Sequence, residues 1–258
     1  AFIGRHLVAR LLDLGHEVSV LNRGGSAAPA GVEQLVADRK DRAAMRQVLG
    51  ARAWDVVYDV SASVQVTSLE DIDDLLNLLD GRCGRYQFIS SIAAYQMGYG
   101  AFPWSETLPT TRSRATKYGG HKAAVEGLLA ARRARTGFAY TVIRPAAVYG
   151  PHNNLPDGEM AMFLRLAQGR PALVPHAGLV CFPYGHVLDL VRAMVLAAEH
   201  PAAVGEIFNI TAEAVTANHY IRTIAKILNV EPNIVSVPDE VLAELRDPLP
   251  FNHRFQKL

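Results

Sequence analysis

The sequence predicts an α/β fold: a doubly wound parallel sheet with a small α+β lobe built from C-terminal insertions. Three observations carry that prediction. Short apolar runs and amphipathic segments alternate through the first 150 residues, the pattern of right-handed βαβ units. Half of the 258 residues are hydrophobic, which suits one large domain or one domain with an appendage. After Pro151 the alternation gives way to loops and separate helices before a strand-like run returns near residue 206. The expected division is therefore 1–150 with 186–212 returning to it, and a lobe of 151–185 with 213–258. The cleft between them is the default ligand site.

Each element has a local reason. Residues 5–15 place Leu7, Leu11 and Leu12 at helical spacing, and Gly15 supplies a C-terminal stop. Glu17-Val18-Ser19-Val20-Leu21 reads as a strand that closes in Asn22-Arg23-Gly24-Gly25. A weaker strand, 33–36, leads into Asp38-Arg39-Lys40-Asp41 and a helix over 42–49. Trp54-Asp55-Val56-Val57-Tyr58-Asp59 is a short buried strand, and Leu69, Ile72, Leu75, Leu76 and Leu79 mark the next helix. A strand over 86–90 ends in serines. A polar loop, 104–117, then precedes a helix opening at Tyr118 and a strand over 139–144. Beyond Pro151, residues 152–158 read as a loop, 160–168 as a helix and 171–183 as irregular. A helix over 187–199 and a strand over 206–210 return to the sheet, followed by a helix over 217–228 and a strand-like 234–237. No internal repeat or long linker interrupts this.

Charge and cysteine content narrow the function classes. With 26 basic and 25 acidic side chains the net charge is +1, which gives no field to draw nucleic acid or an anionic membrane. Cys83 and Cys181 are the only cysteines. They make neither a disulfide framework nor a metal cluster and fit a reducing cytosol, so a cytoplasmic protein without a metal site is expected. The apolar stretch 187–198 is broken by Asp189 and Arg192 and falls short of the ~20 residues of a bilayer span. The chain opens on Ala1-Phe2-Ile3-Gly4-Arg5-His6-Leu7-Val8, already helix-like and without an initiating Met, so a preceding segment is expected.

The residues that point to chemistry are Ser90-Ser91, Tyr118 and Lys122. On a helix, positions i and i+4 share a face. The Lys122 ammonium is therefore expected beside the Tyr118 phenol, favouring its ionised form and lowering a pKa that starts near ~10. Ser91, at the C-terminal end of a buried strand, is placed to hold a substrate oxygen, because open parallel sheets bind ligands outside the carboxyl ends of their strands. In a chain with nine tyrosines, Tyr-x-x-x-Lys alone carries little. Its place between a serine-ended strand and Arg144-Pro145 gives it weight.

A wider set of motifs surrounds these residues: Phe2-Ile3-Gly4, Leu21-Asn22-Arg23-Gly24, Asp38-Arg39, Phe88-Ile89-Ser90-Ser91 with Tyr95, Arg144-Pro145-x-x-Val148-Tyr149-Gly150-Pro151, His186-Val187-x-Asp189-Leu190 and Gly205-Glu206-x-Phe208-Asn209-Ile210. In their order and spacing they resemble the extended short-chain dehydrogenase/reductase family, the NAD-dependent epimerase/dehydratase group with a Rossmann sheet, over most of the chain. The resemblance implies NAD(P), with Phe2, Ile3 and Gly4 at the end of a Gly-rich cofactor loop whose strand and earlier glycines would lie upstream. Gly4 read alone is merely a glycine near the N-terminus. Asn22-Arg23 stands where an acidic residue selects NAD, and Arg23 favours NADP. Asp38, beside Arg39, is implied to reach the adenine, or else it caps the following helix. Ser61 and Ala62 would line the pyrophosphate and ribose, and Pro145 and Val148 would complete the cofactor site.

The implied reaction is hydride transfer. Tyr118 moves the hydroxyl proton, Lys122 lowers its pKa and holds the nicotinamide ribose, and Ser91 orients the substrate oxygen. The implied substrate is a sugar, with a nucleotide sugar the first candidate, contacted by Ser91, Asn154 and His186. Phe182 occupies the place where many members carry a diphosphate-gripping arginine, which weakens the nucleotide-sugar reading; Arg165, Arg170 or Arg254 are the candidates to replace that charge. Ile92-Ala93 stands where dehydratases carry Asp-Glu, so epimerisation and reduction remain and dehydration recedes. A homodimer through 65–80 and 118–133 is also implied. The alternative is a regulatory or RNA-associated relative that keeps the fold but not turnover, as the Leu-Asn-Arg-Gly strand ending suggests.

Overall fold

The computed structural model describes residues 2–96, 103–114, 117–153 and 159–244. In chain order it contains α1 (Phe2–Asp13), β1 (Val18–Asn22), β2 (Val32–Val36), α2 (Arg42–Leu49), β3 (Trp54–Asp59), α3 (Leu69–Leu79), β4 (Cys83–Ile89), α4 (Tyr118–Thr136) and β5 (Tyr140–Pro145). Then come β6 (Ala147–Tyr149), α5 (Glu159–Ala167), β7 (Ala172–Pro175), β8 (Cys181–His186), α6 (Val187–Glu199), β9 (Ile207–Ile210), β10 (Ala214–Thr216), α7 (Ala217–Leu228), β11 (Ile234–Val237) and α8 (Asp239–Glu244). The described residues fall into two compact units, one drawn from 3–145 and 188–210, the other from 146–187 and 211–244.

Among the described residues, the strands of the first unit pair in parallel, with one isolated antiparallel bridge between Tyr95 and Thr110. β1 pairs with β2, and β3, β4, β5 and β9 form a four-stranded ladder in that order. The alternation of β4 shows how helices cover both faces. Tyr86 and Phe88 join Ile72, Leu76, Val125 and Leu129 in the core beneath α3 and α4. Arg85 and Gln87 point the other way, donating to the carbonyls of Ala197 and Met194 in α6. Successive strand side chains must face opposite ways, so one strand carries an apolar and a polar set for two helical layers.

Local chemistry sets the helix ends. Ser68 and Asp71 form a reciprocal capping box on α3, which satisfies two otherwise unpaired amides. Gly15 and Gly137 take positive φ of 81° and 76° after α1 and α4, the left-handed conformation that glycine adopts without strain. At α2 the cap is Asp41, whose carboxylate accepts from the amides of Ala43 and Ala44. The alternative expectation of Asp38 as that cap is corrected: its carboxylate accepts from the Lys40 amide at 3.0 Å.

The second unit holds β10-β8-β6, antiparallel then parallel, and the parallel pair β11-β7. Met162, Leu166, Val174, Ile221 and Ala225 form its core. The segment 171–183, expected to be irregular, contains β7 and the start of β8. The reason is non-local: Ala172–Pro175 registers against Ile234–Val237, about sixty residues later, and no local pattern reveals such a partner. Among the described residues, no helix is long and apolar enough to cross a membrane.

Candidate active site

The site forms where β3, β4 and β5 end. Asp59 pairs with Phe88, and Ile89 with Ile143, so the parallel register brings the chain after each strand to one edge. After β4, Ser91 begins a 3-10 turn by accepting from the Ala93 amide at 3.1 Å. The returning chain is tied back to that turn, with Thr111 donating to the Ala94 carbonyl and Gln96 to that of Pro109. α4 then starts at Tyr118 and packs directly on the turn. A Cβ on Gly119 would overlap the Ala93 carbonyl, and one on Gly120 the carbonyls of Ser113 and Arg114. The glycines after Tyr118 thus let the helix approach closely enough for its first residue to meet the serine.

Ser91, Tyr118 and Lys122 are brought together. Tyr118 is near enough to Ser91 for the serine to favour its ionised form, the residue is 43 % exposed, and the Lys122 Nζ lies 5.7 Å from its ring centroid. Lys122 is only 4 % exposed. Its ammonium donates to the carbonyls of Ala62 and Ile89, both at 2.6 Å, and sits 4.8 Å from the Phe88 ring centroid. An ammonium has three donors, so two are engaged by backbone and one direction remains.

The electrostatics differ from the expectation in one respect. Burial pushes the Tyr118 phenol above its ordinary value, with the Ser91 hydrogen bond opposing. The ammonium of Lys122, 5.7 Å from the ring centroid, donates to backbone carbonyls. Lys122 itself is pushed down to about 8 by burial; Asp59 and Glu126 oppose that fall and Arg39 adds to it.

Around Lys122 lie groups that sequence reasoning did not single out. Asp59, at the end of β3, is gripped by both terminal nitrogens of Arg39 at 2.6 Å, receives the Tyr86 hydroxyl at 2.5 Å, and accepts from the amides of Ser61 and Ala62. Burial alone would raise this carboxyl, but the Arg39 charge and these hydrogen bonds hold it at about 2. Glu126 is buried against Arg144, which reaches it through Nε at 3.0 Å and Nη2 at 2.5 Å, and it accepts from Ser90 at 2.5 Å. Arg144 also stands 4.4 Å from the Tyr95 ring centroid, and the Tyr95 hydroxyl donates to Asn209 at 2.7 Å. The missed signal was a spacing: Glu126 follows Lys122 by four residues as Lys122 follows Tyr118, so all three share one helical stripe.

The cofactor candidates divide. Arg39, Ser61, Ala62 and Lys122 belong to one hydrogen-bonded chain, with Arg39 also donating to the Ser61 hydroxyl at 2.7 Å. Phe2, Ile3 and Gly4 form the first turn of α1. A Cβ on Gly4 would meet only Val60 Cγ2 at 3.5 Å, an ordinary contact, so the turn lies beside the end of β3 and its packing does not itself demand glycine. A helix N-terminus, the Ser61–Ala62 turn and an ammonium with a spare donor are a donor set that fits an anionic dinucleotide. Asn22 is occupied internally, accepting from the Gly24 amide and Gln34, and Arg23 and Asp38 are exposed. Pro145 ends β5 in this unit. Val148 and His186 belong to the second unit, in β6 and at the end of β8, where His186 meets the Tyr149 ring edge-on at 5.2 Å. There Phe182 packs against Tyr184 at 5.9 Å. Arg165 is taken up by the Pro171 carbonyl. Asn154 and Arg254 lie outside the described residues.

Comparison with known proteins follows the same lines. The model of the NAD dependent epimerase/dehydratase family matches residues 1–211. The chain is 32 % identical over 231 residues to the chloroplast stem-loop binding protein of 41 kDa b of Arabidopsis thaliana, covering 82 % of this chain and 56 % of that protein. It is 27 % identical over 226 residues to a 3 beta-hydroxysteroid dehydrogenase/Delta 5→4-isomerase of Mycobacterium tuberculosis, covering 77 % and 58 %. The chain thus spans little more than half the length of these relatives. Among solved structures, the UDP-glucose 4-epimerase of Thermotoga maritima with UDP-glucose superposes with a TM-score of 0.78 at 25 % identity, covering 92 % of this chain and 83 % of that one. The Thermus thermophilus UDP-glucose 4-epimerase complex with NAD gives 0.71 at 22 % identity, covering 99 % and 94 %, a likeness of fold.

Proposed function

The chain belongs to the NAD dependent epimerase/dehydratase family, and from that premise we propose that it is an NAD(P)-dependent epimerase or reductase acting on a sugar, with a nucleotide sugar the first candidate, by hydride transfer with Tyr118 as the acid/base. The observation that carries this reading is the meeting of Ser91, Tyr118 and Lys122 at the carboxyl ends of a parallel sheet. The nicotinamide supplies the hydride when bound. The first turn of α1, the Ser61–Ala62 turn and Lys122 are the groups that would hold the dinucleotide, with Arg23 favouring NADP.

The chain's own residues do the proton work. A phenol raised above its ordinary value is protonated at neutral pH, so Tyr118 enters as the proton donor to an oxygen gaining charge, and as the acceptor in the reverse direction. Ser91, whose hydroxyl acts on that phenol, would orient the same substrate oxygen. Lys122 sets the local positive charge. In the family's manner the protein is further proposed to be a cytosolic homodimer through α3 and α4. The test is absorbance of the reduced nicotinamide, with calorimetry of dinucleotide binding, for wild type and Tyr118→Phe. Full turnover in the variant, or no dinucleotide binding by the wild type, would remove the proposal.

One observation favours a second reading, a role in RNA binding: the Arabidopsis relative is named for binding a stem-loop. The net charge of +1 provides no broad basic surface for it. Filter binding of a hairpin RNA between low and high salt separates the two, since electrostatic RNA binding weakens steeply with salt.

A further inference from the structure

Lys122 is suspended between two constructions of the same kind. On one side Arg39 grips Asp59 with two nitrogens, and Asp59 accepts from the amides of Ser61 and Ala62, the turn whose Ala62 carbonyl holds the ammonium. On the other side Arg144 grips Glu126 with two nitrogens, and Glu126 accepts from the Ser90 hydroxyl. The Ile89 carbonyl that takes the second ammonium proton belongs to the same peptide group as the Ser90 amide. That amide donates to the Ile143 carbonyl at 2.7 Å, next to Arg144. Each carbonyl that holds Lys122 thus belongs to or adjoins a residue whose amide or hydroxyl donates to a buried carboxylate, and each carboxylate is held by its own arginine fork.

We propose that Asp59 and Glu126 are a matched pair of positioning residues for Lys122, setting the height of its ammonium beside Tyr118 and keeping it charged in a buried place. The claim rests on the reading of Lys122 as the ammonium of the active site, and adds which residues place it. The geometry encloses both carboxylates: Asp59 is 5 % and Glu126 5 % exposed, and bidentate forks fix orientation as well as charge. The groups acting on the ammonium are Asp59 at the end of β3, Arg39 after β2 and Glu126 on α4, with Tyr118 beside it and Arg144, near the end of β5, on the far side of Glu126. Three cations against two carboxylates leave one positive charge in excess, and it falls on the one member without an ion-pair fork. That excess suits a ligand bearing negative charge or electron-rich hydroxyls.

The test reads the lysine directly. Competitive acylation of the cofactor-free full chain across pH, with peptide mass spectrometry, gives the titration midpoint of Lys122, and exposed Lys226 serves as the internal reference. In Glu126→Gln the midpoint is expected to fall by about one pH unit, because a nearby opposite charge is lost, while Lys226 does not move. In the double variant Arg39→Met with Asp59→Asn it is expected to fall in the same direction, since the nearer carboxylate outweighs the arginine. Circular dichroism reports folding, and if one variant fails to fold the other carries the test. An unmoved or raised midpoint in a folded variant overturns the proposal. So does loss of fold in both, which would make the pairs supports of the fold rather than of the ammonium. Because no substrate is involved, a shifted midpoint in a protein that turns nothing over would sink the proposed function and leave this inference standing.

Discussion

Tyr118 and Lys122 differ in how the fold has treated their protons. Burial raises the phenol while Ser91 opposes, so a proton sits on the oxygen at neutral pH and its removal by mutation should be felt in turnover. Tyr118→Phe is expected to lower turnover about 100-fold or more with dinucleotide affinity unchanged, as checked by steady-state rates beside calorimetry. The ammonium, held down to about 8 by burial, is charged below that pH and neutral above it. Dinucleotide affinity is therefore expected to weaken as pH rises through about 8, and Lys122→Met should bind weakly with no such dependence; a fluorescence titration from neutral to alkaline pH decides it. Arg144 tests the other end of the array. Replacing it with Met leaves Glu126 buried without its fork, and breaking a buried pair from one side costs about 3–5 kcal/mol, to be measured by urea denaturation. A cost below about 1 kcal/mol would mean that the pair behaves like a surface ion pair and does not hold the site.

At the scale of the element, α4 shows how one helix serves both chemistry and packing. Its stripe runs Tyr118, Lys122, Glu126 and then apolar Leu129, so the polar end meets the sheet's carboxyl edge and the remainder enters the core. Two of its glycines make opposite predictions. Gly119→Ala would press a methyl group into the Ala93 carbonyl, and overpacking of this kind costs about 1–3 kcal/mol while moving Tyr118 off Ser91. Gly127 lies mid-helix, exposed, with nothing within 4 Å of a Cβ, so Gly127→Ala should stabilise by about 0.5–1 kcal/mol. Thermal denaturation of the two variants against wild type settles both; equal effects would remove the packing argument for the glycine after the tyrosine.

At the scale of the whole molecule, two compact units each bury their own core, and the polar array lies within the first. Its acid response follows from Asp59. Held at about 2 when folded against ~3.9 when unfolded, this carboxyl is protonated first in the unfolded chain as pH falls. Its stabilisation, on the order of 2 kcal/mol, is present above about pH 4 and lost toward pH 2. The stability gap between wild type and Asp59→Asn should accordingly narrow from pH 7 to pH 2 in urea titrations, and a gap that stays constant would contradict the assignment. What the sequence by itself determined is the βαβ rhythm, the helix carrying Tyr118 and Lys122, and the serine-ended strand, because period, glycine stops and short spacings act locally. It also held Glu126 on the same stripe, legible as an i+4 spacing but without any sign of its partner. Only the tertiary structure decided that β7 exists, that Asp41 rather than Asp38 caps α2, and that Asp59 meets Arg39. It also decided that the ammonium of Lys122 is held by the carbonyls of Ala62 and Ile89. Those outcomes depend on contacts between residues far apart in the chain and on burial, which changes the free energy of a charge by amounts that no spacing along the sequence reports.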